Sequence, residues 1–117
     1  MSTTRKIRRG EIFWAHLGKI DKSNPDSVQR NDRPVIVVSN DDCNWASPVL
    51  TVIPLTTRQT KSKLPTHVPI KCVEESIALA EQITVLPKSE LWKYIGQVSK
   101  TELESLNKAI KVQLQLA

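Results

Sequence analysis

Arg33 is the residue around which chemistry could gather. It stands before Pro34-Val35-Ile36-Val37-Val38, a proline and four β-branched residues. A residue before proline is pushed toward extended geometry, and an unbroken β-branched run suits a strand buried on both faces. Arg33 is therefore expected at the mouth of a strand opened by Pro34. A guanidinium held in place there can stabilise charge that develops on a phosphate. The pair Glu81-Gln82 is a second candidate, because it interrupts the apolar sequence from Ser76 to Ile83. Polar groups inside such a run must be hydrogen-bonded or face a cavity. His16 and His67 lie on predicted strands, where a histidine more often makes a local hydrogen bond than transfers a proton. Cys43 and Cys72 stand 29 residues apart with no further Cys or His at ligand spacing, so neither a metal site nor a cofactor is indicated.

The chain that must position these groups has 117 residues, the size of one domain with a real core. Residues 1–117 are read as a single domain. Its formal charge of +5 looks like a nucleic-acid signal until it is divided along the chain. Arg5, Lys6, Arg8 and Arg9 lie in residues 1–9 without an acid, and beyond them thirteen basic residues face twelve acidic ones. The surplus is read as a short basic N-terminal arm, either touching phosphates or forming a solvated, disordered tail, so charge alone supports polyanion binding weakly. No apolar run has the length of a signal peptide or membrane span, which reads as a cytoplasmic chain with free thiols and no membrane partner.

Glu11 to Leu17 suits a first strand, and Gly18 to Asp32 reads as a long exposed loop, a candidate flap over a substrate. A single helical turn fits the turn formers after Ser39, and Val49 to Leu55 is a further apolar strand. Short strands are predicted over 64–70, 76–83 and 94–98, with one helical turn near Pro87. Ser99-Lys100-Thr101-Glu102 matches a capping box, followed by Leu103, Leu106, Ile110 and Leu114 at helical spacing. This predicts a helix from about 100 to 115. Several short strands and one terminal helix, without βαβ alternation, point to a mainly β protein, a small β-barrel with a C-terminal α-helix.

Four ordered segments resemble the MazF/PemK/Kid family of toxins. They are Arg8-Arg9-Gly10-Glu11-Ile12-Phe13-Trp14-Ala15, Arg33 to Asp41, Leu64-Pro65-Thr66-His67-Val68 and Glu81-Gln82-Ile83. The resemblance runs from about residue 8 to the C-terminus. It implies an SH3-like barrel with a C-terminal helix, a homodimer and a cognate antitoxin peptide. It also implies a sequence-specific endoribonuclease that cuts single-stranded mRNA without metal, by attack of a ribose 2′-hydroxyl on the adjacent phosphate. Carried onto this chain, the catalytic pair falls on Arg33 and Thr56. Contacts to RNA fall on Gln29, Asn40, Leu64, Pro65, Ser76, Glu81 and Gln82. The group that removes the 2′ proton stays open between Glu81 and His67, since arginine is a poor proton acceptor. Before the arginine, where the family carries a Glu-Gln-Gly-Gly type of segment, this chain has Val28-Gln29-Arg30-Asn31-Asp32, and only Gln29 matches.

Two other readings compete. A CcdB-like gyrase inhibitor resembles the expected fold but depends on a C-terminal tryptophan, which Leu114-Gln115-Leu116-Ala117 lacks. A barrel that binds RNA or a partner without cutting predicts salt-sensitive binding with the RNA recovered intact.

Overall fold

The computed structural model describes residues 6–17, 31–57, 64–72 and 74–116. The expected flap, with Gln29, therefore lies almost wholly outside the described residues. Among the described residues, seven strands and two α-helices follow in the order β1 (Glu11–Leu17), β2 (Asn31–Val37), α1 (Asp41–Ala46), β3 (Val49–Thr56), β4 (His67–Lys71), β5 (Glu75–Leu79), β6 (Thr84–Pro87), β7 (Leu91–Gln97) and α2 (Lys100–Leu114). Short 3₁₀ turns at Ala80–Gln82 and Lys88–Glu90 flank β6. The sheet is mainly antiparallel, in the order β4-β5-β3-β2-β1-β7, with β6 beside the first half of β3. Among the described residues it is an open, curled sheet with a C-terminal helix.

The β-branched run does what its composition requires, sending alternate residues to opposite sides. Ile36 and Val38 join Ile12, Ile53, Leu55, Val68, Ile70 and Ala78 in a cluster covered by Leu106 and Ala109 of α2. Val35 and Val37 join Phe13, Ala15, Leu50, Val52, Leu86 and Leu91 in a second cluster. β2 is thus buried on both faces, as expected. The capping box forms: Ser99 Oγ accepts the Glu102 N–H at 3.1 Å, and a Glu102 carboxylate oxygen accepts the Ser99 N–H at 2.8 Å. The other Glu102 oxygen accepts the Lys71 N–H at 2.7 Å and so pins the helix start to the end of β4.

Several expectations change. β2 starts at Asn31, because β1 supplies partners for Asn31, Asp32 and Arg33; Arg33 is inside the strand, opposite Ala15, rather than at its mouth. The β2–β3 ladder does begin just after Pro34, which has no N–H to offer it. The strand predicted over 76–83 ends at Leu79, and Glu81-Gln82 belong to the following turn. Residues 6–9 are no arm. Ile7 is buried, and its carbonyl accepts the Trp45 indole N–H at 2.9 Å. The Arg9 guanidinium donates to the Val38 carbonyl at 2.8 Å and to Asn107 Oδ1 at 2.5 Å. On α2, Leu114 of the predicted stripe is exposed. No helix among the described residues is long and apolar enough to cross a membrane.

Candidate active site

Arg33 and Thr56 share one face of the sheet. Arg33 follows the parity of Val35 and Val37, and Thr56 that of Leu50 and Val52, so both point away from the cluster under α2. The β2–β3 ladder ends at Val35↔Pro54, and Arg33 and Thr56 each stand two residues beyond it. The pairings on either side of them are fixed. Leu91 opposes Ala15, Ala15 opposes Arg33, Thr56 opposes Ile77, and Ile77 opposes Pro69. Both side chains are half-buried, which leaves them accessible while the strands hold their backbones.

His67 occupies the next row on that same face, since Val68 and Ile70 take the other. From strand spacing and rise it lies roughly 12 Å from Thr56. Its ring is part of a compact polar group. Glu81 Oε2 lies 2.8 Å from His67 Nε2, and Glu81 Oε1 accepts the Thr66 hydroxyl at 2.8 Å. The Leu64 N–H donates to Nδ1 at 3.4 Å, so Nε2 carries the hydrogen given to Glu81. Ala80 N–H donates to the Thr66 carbonyl at 3.0 Å and closes the group. Burial alone would raise the Glu81 pKa. Hydrogen bonds from its own backbone, His67 and Thr66, with the attraction of His67, outweigh that and hold it below the ordinary carboxylate value.

The family model of PemK-like, MazF-like toxins of type II toxin–antitoxin systems matches residues 8–114. The chain belongs to this family. An endoribonuclease MazF of Staphylococcus saprophyticus is 34% identical over 115 residues, covering 94% of this chain and 92% of the relative. A mycobacterial endoribonuclease solved in complex with its cognate antitoxin is 26% identical, with a TM-score of 0.78 over 95% of this chain and 97% of its own. A MazE-MazF structure from Deinococcus radiodurans, 17% identical with a TM-score of 0.78 over 97% and 99%, shares the fold.

For a MazF-like toxin, the hydrogen bonds count against both candidate proton acceptors. Glu81 is a weak base because three donors stabilise its charged form, and both His67 ring nitrogens are engaged. The remaining predicted positions divide. Leu64, Pro65 and Gln82 are exposed around the Glu81 group. Ser76 is buried on the α2 side with Ala78, its hydroxyl donating to the Glu74 carbonyl at 3.2 Å. Asn40 lies seven residues beyond Arg33, on the order of 20 Å along extended chain. Its side-chain oxygen caps α1 by accepting the Cys43 N–H at 2.9 Å. It lines a cavity of about 580 Å³ with Arg9, Ser39 and Ile110, remote from Arg33. The single subunit therefore does not bring Asn40 and Ser76 to the Arg33–Thr56 pair. Reading the sequence missed Thr66, although it stands inside the quoted segment Leu64 to Val68; its only signal was a hydroxyl next to His67. His16 pairs with Asp32 at 2.5 Å and stacks on Trp92, on the opposite face from Arg33. Among the described residues no three His, Cys, Asp or Glu side chains are grouped to hold a metal ion.

Proposed function

We propose that this chain is the toxin of a toxin–antitoxin pair, a sequence-specific endoribonuclease that cuts single-stranded mRNA without metal. The observation that supports the reading is strand parity, which sends Arg33 and Thr56 to one face of two neighbouring strands. In the reaction a ribose 2′-oxygen attacks the adjacent phosphorus and the bond to the 5′-oxygen breaks. The 2′ proton leaves the attacking oxygen and a proton is gained by the leaving one. The products are a 2′,3′-cyclic phosphate and a 5′-hydroxyl. Arg33 stabilises the pentacoordinate phosphate as its charge grows, and the Thr56 hydroxyl orients a phosphate oxygen. Neither role asks for a proton acceptor.

Leu64, Pro65, Glu81 and Gln82 contact splayed-out bases in this reading, through apolar packing and hydrogen bonds. Gln29 is a further RNA contact in this reading. Asn40 and Ser76 instead hold local structure. The single toxin domain is an SH3-like barrel and works as a homodimer in the cytoplasm, with a cognate antitoxin peptide as its inhibitor. Purified protein incubated with a long RNA in EDTA tests the proposal. Discrete cuts bearing 5′-hydroxyl ends are expected, and they disappear in Arg33→Ala. Intact RNA at excess protein, or identical cutting by Arg33→Ala, overturns it.

A further inference from the structure

Glu81 is held in an unusual way for a side chain that remains 29% exposed. One oxygen takes the Thr66 hydroxyl hydrogen and the other takes the His67 Nε2 hydrogen, each at 2.8 Å. The second ring nitrogen of His67 accepts from the Leu64 backbone N–H at 3.4 Å, which holds the ring in place. Thr66 is buried and the His67 side chain is 9% exposed, which fixes both donors. A carboxylate offers about four acceptor directions and no donor when ionised, so capacity is left on the exposed edge. Beside it stand exposed Leu64, Pro65 and Gln82. The group also joins the turn before β4 to the turn after β5, through the Ala80 N–H and the Thr66 carbonyl. The hydrogen bonds around Glu81 thus outweigh its burial and keep it ionised, aimed and acceptor-only.

We propose that Thr66 and His67 are specificity-determining positioning residues, which hold the Glu81 carboxylate so that it selects an RNA base bearing an exocyclic amino group over uracil. The inference rests on the ribonuclease reading above and deepens it at one subsite. An amino group of adenine, cytosine or guanine donates to a carboxylate oxygen. Uracil offers a single N3–H flanked by two carbonyl oxygens, whose lone pairs face those of the carboxylate. Discrimination therefore follows from leaving like poles opposed and unpaired in a partly desolvated site. The lowered pKa of Glu81 agrees with this, because protonation would create a donor able to accept uracil.

The test is the base composition around cut sites in an RNA with a randomised stretch, sequenced from its 5′-hydroxyl ends. Wild-type protein, Thr66→Val, Thr66→Ser and Glu81→Gln are compared as ratios between bases at each position. One position is expected where amino-bearing bases exceed uracil by about tenfold. Thr66→Val and Glu81→Gln reduce that ratio to about threefold or less, leaving the other positions as they are, and Thr66→Ser restores it. If melting shows that Thr66→Val fails to fold, His67→Gln, which keeps a donor, against His67→Leu, which does not, reads the same ratio. Cutting with no such position, or with a ratio that ignores these donors, overturns the inference alone. Wild-type protein that never cuts RNA overturns the ribonuclease reading and this inference together.

Discussion

The two faces of the sheet are built from the same strands and differ in what they ask of a residue. Beneath α2, Ile12, Ile36, Ile53, Leu55, Val68 and Ile70 meet Leu106 and Ala109 with almost no accessible surface. On the other face the second cluster reaches Leu91 and Ala15, Arg33 stands opposite Ala15, and the same face carries Thr56, Ile77 and Pro69. One face is closed by a helix, whereas the other changes from apolar to polar partway along. A strand alternates its side chains strictly, so a residue's face follows from its parity once a single neighbour is placed. That rule sends Arg33, Thr56 and His67 to one side and Ser76 and His16 to the other. Substitutions of Arg33 or Thr56 should therefore alter chemistry, and substitutions under the helix should alter stability.

The largest effect is expected from Arg33→Ala. Removing one preorganised donor to a developing oxyanion costs roughly 100- to 1000-fold in rate. Single-turnover cleavage of a defined RNA measures it, with unfolding followed in parallel. Arg33 is half-buried and belongs to neither apolar cluster, so the midpoint of unfolding should hardly move. A rate loss explained by unfolded protein would break the distinction between the faces.

Leu106→Ala is the complementary experiment. Leu106 is fully buried between α2 and the sheet. Its truncation removes transfer energy and leaves a cavity, a loss of about 2–5 kcal/mol, to be read from urea unfolding. Cleavage per folded molecule should remain at the wild-type rate. An equal fall in both quantities would mean that packing under the helix sets the geometry of the Arg33 row.

Acid titration of the Glu81 group gives a smaller effect with a definite sign. The folded pKa of Glu81 lies below its ordinary value of 4.5. The stability it contributes is complete above that value and is lost as the pH drops through the lowered folded one. Wild type and Glu81→Gln, unfolded in urea from neutral pH to about pH 3, should therefore converge in the acid range. A stability difference that stays constant across the range would remove the ionised carboxylate from this account.

These cases also mark how much was legible in the chain. The alternation of Val35 to Val38 and the capping box at Ser99 were readable because each depends on neighbours in sequence. Arg33 and Thr56, 23 residues apart, carry no local mark that joins them, since what they share is one face of two neighbouring strands, and only resemblance linked them. Glu81 was singled out for the wrong local structure. The polar pair that seemed to interrupt a strand ends it, and the partners that satisfy Glu81 come from Thr66 and His67, across the β4–β5 pair. The basic start was misread for a similar reason. Nothing adjacent to Arg9 announces that Val38 and Asn107 will accept its hydrogens. Asn40 was named as an RNA contact through the resemblance alone, and its side-chain oxygen caps the short helix α1, a role that Asn before a helix commonly takes.

The smallest expected effect gives the sharpest test of the two faces, because it falls one residue from Arg33. Asp32 opposes His16 in the rung next to Arg33 and Ala15, and the His16 ring stacks on Trp92 at 6.0 Å. The His16–Asp32 contact, at 2.5 Å, is shorter than that of His67 with Glu81, yet its side chains are 52% and 35% exposed. Water competes for such a pair, so its length does not measure its worth, and His16→Ala should cost at most about 1 kcal/mol. Parity puts His16 on the side away from Arg33, and cleavage by His16→Ala should match wild type. A rate loss approaching that of Arg33→Ala, in protein that unfolds normally, would show that proximity along the strand outweighs the face on which a side chain stands. The His16–Asp32 pair would then have to be counted among the groups that hold Arg33 for reaction.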